Sequence, residues 1–79
     1  MKVYIAIEET WDGLEDTQVA VNLGAYSTKA GAEDRIRKEF EAEKAESRVD
    51  DFTDQNDFKF LHGGMWTKRW SIDELEVVS

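Results

Sequence analysis

The feature of the sequence that most restricts its fold is a pair of alternating segments at its start. Across Lys2–Glu9, Val3, Ile5 and Ile7 share one side of an extended chain, and polar or smaller residues occupy the other. Thr17–Tyr26 alternates in the same way. Alternation of this kind is typical of half-buried strands, and the two segments, joined by a rather long polar connection, predict an antiparallel hairpin.

A single helical segment follows the hairpin. Ser27 is a favourable N-cap residue, and good helix formers after it predict a helix over about residues 28–46. Three apolar side chains align on one side of this helix: Ala32, Ile36 and Phe40. Because the apolar stripe ends there, we expect the last turns, Glu41–Arg48, to extend past the sheet without packing on it.

The second half of the chain predicts a loop and two more strands. Val49–Asp57 is polar and rich in aspartate, Phe58–Phe60 alternates as a short strand, and Met65–Val78 predicts a long final strand. The apolar side of that strand changes near Asp73–Glu74, which predicts a bulge. The expected fold is α+β, a ββαββ two-layer sandwich with three or four antiparallel or mixed strands and one helix on one face.

Length and composition restrict the class of protein. A chain of 79 residues predicts a single domain spanning residues 1–79. No cysteine is present, so no disulfide or thiolate metal site forms. The sequence contains no apolar run near the ~20 residues that span a bilayer, and it opens on an alternating strand where a signal peptide would have an apolar stretch. We therefore expect the cytoplasm of a bacterial host.

The charge of the chain is concentrated in two segments. The formal net charge is −8, which argues against direct nucleic-acid binding and against an anionic membrane surface but permits a basic protein partner. Residues 1–27 carry a net −4 and residues 49–57 another −4, whereas residues 28–48 and 58–79 are each neutral. The excess negative charge therefore lies in the hairpin and in the aspartate-rich loop.

The expected topology brings these two segments to one end of the sheet, because the helix returns the chain to the level of the hairpin turn. Asp73, Glu74 and Glu76 are expected at the same end, on a final strand that runs the same way as the first. Trp11 and Phe52 either anchor a partner there or fold inward and close the core. The predicted partner-binding residues are Glu8, Glu9, Trp11, Asp12, Glu15, Asp16, Asp50, Asp51, Phe52, Asp54 and Asp57.

Few residues suggest catalysis or metal binding. Asp50, Asp54 and Asp57 could offer oxygen ligands to calcium, but their spacing is not that of an EF-hand loop, so a solvated loop is favoured. His62 is the one histidine, and no partner that would orient it for acid–base chemistry is assignable. We expect no metal, no cofactor and no enzymatic activity.

A stripe of Trp66, Lys68 and Trp70 at strand spacing has two interpretations. Such a stripe can stack bases in proteins that bind single-stranded nucleic acid. In a chain this acidic, packing of the stripe against the helix is the favoured interpretation.

Three segments carry a family resemblance: MKVYIAIEE, GAYSTKAGAEDRI and WSIDELEV. Together they resemble a loose class of small bacterial and phage ββαββ domains, over roughly half of the chain. The resemblance implies no catalytic residues. In size and acidity the chain is also similar to phage-encoded inhibitors of host defence, including anti-CRISPR proteins, although no motif carries this second likeness.

Three functional hypotheses follow. In the first, a phage or mobile-element accessory protein covers a basic, nucleic-acid-binding surface of a host defence complex. In the second, the chain is a small structural or regulatory adaptor, either a monomer or a homodimer through a sheet edge. In the third, it binds calcium or a small ligand.

Overall fold

The computed structural model describes residues 1–78, which form one helix packed on one face of a five-stranded antiparallel sheet. The elements in chain order are β1 (Lys2–Asp12), β2 (Thr17–Tyr26), α1 (Lys29–Ser47), β3 (Phe52–Asp54), β4 (Phe58–His62) and β5 (Trp66–Glu76). The sheet order is β2-β1-β5-β4-β3. The α+β class, the single covering helix and the antiparallel alternative for the sheet are confirmed, whereas the expected ββαββ order with three or four strands is wrong, because three strands follow the helix. Within the described residues, no helix is both long and apolar enough to cross a bilayer.

The additional strand, β3, lies inside the segment that the sequence predicted to be a loop. It forms a short hairpin with β4, in which Phe52 pairs with Leu61 and Asp54 pairs with Lys59. The Gln55 N–H closes the turn by donating to the Phe58 carbonyl over 2.9 Å. The three residues of β3 are too few to show alternation, and the aspartates in and around it are typical of a loop, so pairing with β4 decides its conformation.

Helix α1 begins one residue later than predicted. Its N-cap is Thr28, whose Oγ1 accepts a hydrogen bond from the Gly31 N–H at 3.1 Å, so Ser27 is not the cap. The helix ends at Arg48, which adopts a left-handed conformation with φ 58° and donates its N–H to the Lys44 carbonyl. The predicted buried stripe of Ala32, Ile36 and Phe40 is confirmed.

The C-terminal turns of α1 contact the sheet, contrary to expectation. Glu43 forms a 2.9 Å ion pair with Lys68 of β5, and the Lys44 ammonium lies 3.9 Å from the centre of the Phe52 ring. Polar side chains therefore continue the packing after the apolar stripe ends. A pattern based on hydrophobicity alone does not detect contacts of this kind.

The long pairing between β1 and β5 is regular and antiparallel. It runs without interruption from Lys2 opposite Glu76 to Asp12 opposite Trp66, so the bulge predicted near Asp73–Glu74 is wrong. Leu75 accounts for the change of pattern, because it lies opposite Val3 on the face that lacks the helix. The bulge of this sheet lies in β2, where Leu23 is the extra residue beside Gly24.

The core lies between α1 and the central strands, and six apolar residues in it are buried: Ala6, Ala32, Ile36, Phe40, Leu61 and Trp70. Lys59 of β4 points into the same layer and is 3% exposed. Because side chains alternate along a strand, Phe58 and Phe60 lie on the opposite side of the sheet. We call that side, which α1 does not cover, the open face. It also carries Val3, Ile5 and Ile7 of β1, so the most apolar side of the first strand faces away from the helix.

Candidate binding surface

Three connections meet at one end of the sheet: the β1–β2 turn, the segment between α1 and β3, and the β4–β5 turn. The Gly13 N–H donates to the Met65 carbonyl over 2.6 Å, which joins the first and third. The His62 N–H donates to the Asp51 carbonyl over 3.0 Å, which joins the second and third. These bonds place five acidic residues at the same end of the sheet, and we call them the acidic end: Asp12, Glu15, Asp16, Asp50 and Asp51.

Two carboxylates of the acidic end accept local hydrogen bonds, and none of the five forms an ion pair with the part of the chain that the structure describes. Asp12 accepts the Leu14 N–H at 2.9 Å, and Asp16 accepts the Trp11 indole N–H at 3.4 Å. Four of the five residues are exposed, and Asp12 is half-buried. Arg48 is an exposed cation at the same end. Since five acids outnumber the one exposed arginine, this end carries a local negative charge.

Four acids of the predicted surface lie elsewhere and have partners of their own. Glu8 accepts the Trp70 indole N–H at 2.9 Å, and Glu9 accepts from Arg69 at 2.7 Å on the open face. In the β3–β4 hairpin, Asp54 pairs with the buried Lys59 at 2.5 Å. Asp57 lies 3.6 Å from the ammonium of Lys29 at the start of α1. The sequence therefore could not separate the paired acids of the predicted surface from the unpaired ones.

The acids of the final strand lie at the other end of the molecule, so their expected position is wrong. Because β5 is antiparallel to β1, Glu74 and Glu76 lie beside the beginning of the chain. Glu76 contacts the N-terminal ammonium at 3.1 Å, and Glu74 is 3.8 Å from the Lys2 ammonium. The expected direction failed because the sequence does not fix the number of strands between the helix and β5.

The two aromatic candidates have different surroundings. Trp11 is 39% exposed, and its indole is held beside the acidic end by Asp16. Phe52 is 40% exposed, but it packs edge-on against Phe40 with ring centres 5.9 Å apart and lies under the Lys44 ammonium. Trp11 is therefore positioned to contact a partner, whereas much of Phe52 is used in closing the helix–sheet layer.

A groove beside the acidic end contains apolar residues that were not among the predicted partner-binding residues. Leu14 is 78% exposed and Met65 is 55% exposed, and both line the groove with Trp66 and Asp12. In the sequence, the indication of this apolar surface was Leu14, an isolated apolar residue in an otherwise polar turn. Exposed apolar side chains beside unpaired carboxylates are a common composition for a protein-binding surface.

The residues considered for metal binding and for acid–base chemistry lie apart from one another. Asp54 and Asp57 are engaged by different lysines, and Asp50 lies with the acidic end. Among residues 1–78, no three side chains of the metal-binding types form a cluster. His62 is exposed, with its ring 6.4 Å from that of Phe60.

The tryptophan stripe of β5 belongs to the core, as predicted. Trp70 is fully buried and packs edge-on against Phe40 with ring centres 5.7 Å apart. Trp66 packs against the same cluster, and Lys68 is held by Glu43. The stripe therefore contributes mainly to the core, although Trp66 is partly exposed in the groove beside the acidic end.

Comparison of the chain with family models, curated proteins and solved structures finds no significant match. The resemblance to small phage domains and to inhibitors of host defence stays a prediction.

Proposed function

We propose that this chain is a non-enzymatic binding protein whose acidic end covers a basic, nucleic-acid-binding surface of another protein. The observation that carries the proposal is a group of five carboxylates at one end of the sheet, none of which forms an ion pair in the described chain; one of them, Asp12, lines an apolar groove. Of the thirteen other acids, eight form ion pairs with a cation of the described chain, so the carboxylates of the acidic end are less compensated than most. A host defence protein that works on nucleic acid is the partner class that the compositional likeness implies.

Electrostatic attraction supports this mode of binding. A nucleic-acid-binding surface presents lysine and arginine side chains arranged to meet phosphates. Exposed carboxylates such as Glu15, Asp50 and Asp51 meet such cations without a large desolvation cost, and they raise the association rate at low salt. Because exposed charges are screened over about 8 Å at physiological ionic strength, binding should weaken as salt is added.

Apolar contacts supply the second part of the interaction. Trp11, Leu14 and Met65 border the acidic end and expose a substantial part of their surface. Aromatic and long apolar side chains often contribute most of the affinity at an interface, while surrounding charges set orientation and rate. Truncation of Leu14 or Met65 should therefore speed dissociation, whereas removal of charge should slow association.

The test compares two variants that each lose three negative charges. Glu15→Gln, Asp50→Asn and Asp51→Asn together neutralise most of the acidic end and spare Asp12, whose carboxylate holds the turn. Asp73→Asn, Glu74→Gln and Glu76→Gln remove the same charge from the opposite end. Each protein is used to capture partners from a bacterial lysate, and each captured protein is then tested for displacement of its nucleic acid by fluorescence anisotropy.

The proposal requires three results together. The unchanged chain and the opposite-end variant should capture a nucleic-acid-binding protein, the acidic-end variant should not, and the captured protein should lose its nucleic acid as the chain is added. Equal capture by both variants would contradict the proposal, and so would a captured protein that keeps its nucleic acid.

A further inference from the structure

The two edges of the sheet differ in a way that concerns assembly. Strand β3, at one edge, has three residues, one of which is Asp54, and Asp51 precedes it directly. Strand β2, at the other edge, has ten residues and no charged side chain, in a chain that is 35% charged. Long, uncharged edges offer free backbone donors and acceptors to another strand, and most proteins protect them with charge, proline or short length. The β3 edge is protected by its short length and its aspartates, whereas the β2 edge has neither.

The large exposed apolar side chains of β2 occupy alternate positions and therefore lie on the same side of the sheet. Val19 is 57% exposed and Val21 is 44% exposed, and both lie on the helix side of the sheet, opposite Thr10 and Glu8. Helix α1 does not cover this part of β2. The open-face positions between and beside the valines are Gln18, Ala20 and Asn22. The regular part of the strand ends at the bulge, where Gly24 has φ 140°.

We propose that a second copy of this chain pairs with β2 in antiparallel orientation, with the two-fold axis at Ala20. In this register, Val19 lies opposite Val21 of the second copy. Because of the two-fold symmetry, Val21 likewise lies opposite Val19 of the second copy. Gln18 lies opposite Asn22 of the second copy on the open face. The result is a continuous ten-stranded sheet with both helices on one side.

The net −8 of each chain does not place like charges opposite each other in this arrangement. No charged residue of β2 enters the interface. Because the strands are antiparallel, each acidic β1–β2 turn lies beside Gly24–Ser27 of the other copy, a segment that also lacks charge. A register that moves the axis to Val19 would instead place Asp16 beside Asn22 and Val21 beside Thr17, so that only the two Val19 side chains would face each other.

The interface is small, so the dimer is expected to be weak. Edge pairing over about five residues per copy buries less than the ~1,200 Å² typical of stable complexes. The oligomeric state should therefore be measured by sedimentation across the micromolar to millimolar range.

Two charge variants test both the edge and the register. Val19→Lys with Val21→Lys places like charges opposite each other twice, which should raise the dimer Kd about tenfold or more. Val19→Lys with Val21→Glu places opposite charges in the same positions, and dimerisation should be retained. The first variant also lowers the net negative charge, so general repulsion cannot explain a loss of pairing. Circular dichroism checks that both variants fold, as expected for changes at exposed positions.

A cysteine variant tests the position of the axis. The natural chain has no cysteine, so Ala20→Cys introduces a single thiol that would face its own copy across the two-fold axis. Mild oxidation should give a disulfide-linked dimer. Thr53→Cys, on the opposite edge, is the matched control and should stay largely monomeric.

Three results would overturn the proposal. These are a monomer at all concentrations, equal dimerisation of the two charge variants, and equal cross-linking of the two cysteine variants. A dimer that persists in both charge variants but is lost in Phe60→Lys would place the interface on the open face, which also overturns it. Since β2 does not include the acidic end, the outcome does not depend on the proposed function.

Discussion

Lys59 lies beneath α1 with its ammonium 2.5 Å from a carboxylate oxygen of Asp54 in the adjacent edge strand. The lysine side chain is 4% exposed, whereas that of Asp54 is 44% exposed. The ammonium also donates to the Gln55 carbonyl at 2.7 Å and lies 5.6 Å from the centre of the Phe40 ring. A buried charge is tolerated here because one partly solvated carboxylate and one carbonyl satisfy it.

The two members of this pair should respond differently to substitution. Asp54→Asn leaves a buried ammonium without its counter-charge and should lower the free energy of unfolding by about 1–3 kcal/mol. Lys59→Met removes the buried charge and leaves an aspartate that water can solvate, so it should cost less. Urea denaturation of both variants measures the difference. A larger loss in Lys59→Met would show that the ammonium, and not its counter-charge, provides the stability.

The hydrogen bond between Glu8 and the buried Trp70 predicts a structural role for a residue that the sequence assigned to partner binding. Glu8→Leu leaves the indole N–H without its acceptor and should lower the free energy of unfolding by about 1–3 kcal/mol. Glu8→Gln keeps an acceptor oxygen and should cost less. Thermal unfolding followed by tryptophan fluorescence reports both values, and equal stability of the two variants would exclude a role for this hydrogen bond.

Phe40 joins the helix to both the central and the edge part of the sheet through Trp70 and Phe52. Phe40→Ala should cost about 3–5 kcal/mol because the side chain is fully buried. A chain of this length has a total stability of about 4–12 kcal/mol, so much of the variant protein could be unfolded. Phe52→Ala, at a partly exposed position, is the matched comparison and should cost about 1–2 kcal/mol. Chemical denaturation distinguishes the two, and similar costs would mean that the helix–sheet layer repacks around the Phe40 cavity.

Asp34 should titrate at unusually low pH. Hydrogen bonds from Arg37 and then from Lys38 lower the pKa of its carboxyl below the ordinary 3.8. Since the folded state depresses this pKa, the interaction stabilises the fold above the unfolded-state value and is lost as pH falls through the folded-state value. Carbon NMR titration should show the pKa rising in Arg37→Gln, with a smaller rise in Lys38→Gln. An unchanged pKa in Arg37→Gln would show that this arginine does not hold the carboxylate in solution.

The local elements of the fold were largely predictable from sequence. Alternation in the first two segments identified β1 and β2, and the spacing of Ala32, Ile36 and Phe40 identified the buried side of α1. Strand β3 was missed because a three-residue strand is held by cross-strand pairing and has no pattern of its own.

The candidate surface was predictable only in part. Local charge counting located the acids of the two connections, and the hydrogen bonds of Gly13 and His62 show that the turns do meet. Counting could not reveal that Asp54 and Asp57 are paired with lysines, because both contacts depend on how the β3–β4 hairpin meets α1. The apolar part of the surface, Leu14 and Met65, requires the two turns to be adjacent before it is visible.

The sequence by itself determined the two strands of the first hairpin, the long final strand, the helix and the location of the excess charge, because these properties depend on neighbours within a few residues. Only the tertiary structure decided which side of each strand receives the helix. Alternation divides a strand into two sets of side chains but does not say which set faces inward, since a change of one residue in register exchanges them. Hence Lys59 is buried while Phe58 and Phe60 face outward. The direction of the final strand, which carries its acids away from the acidic end, depends in turn on the number of strands before it.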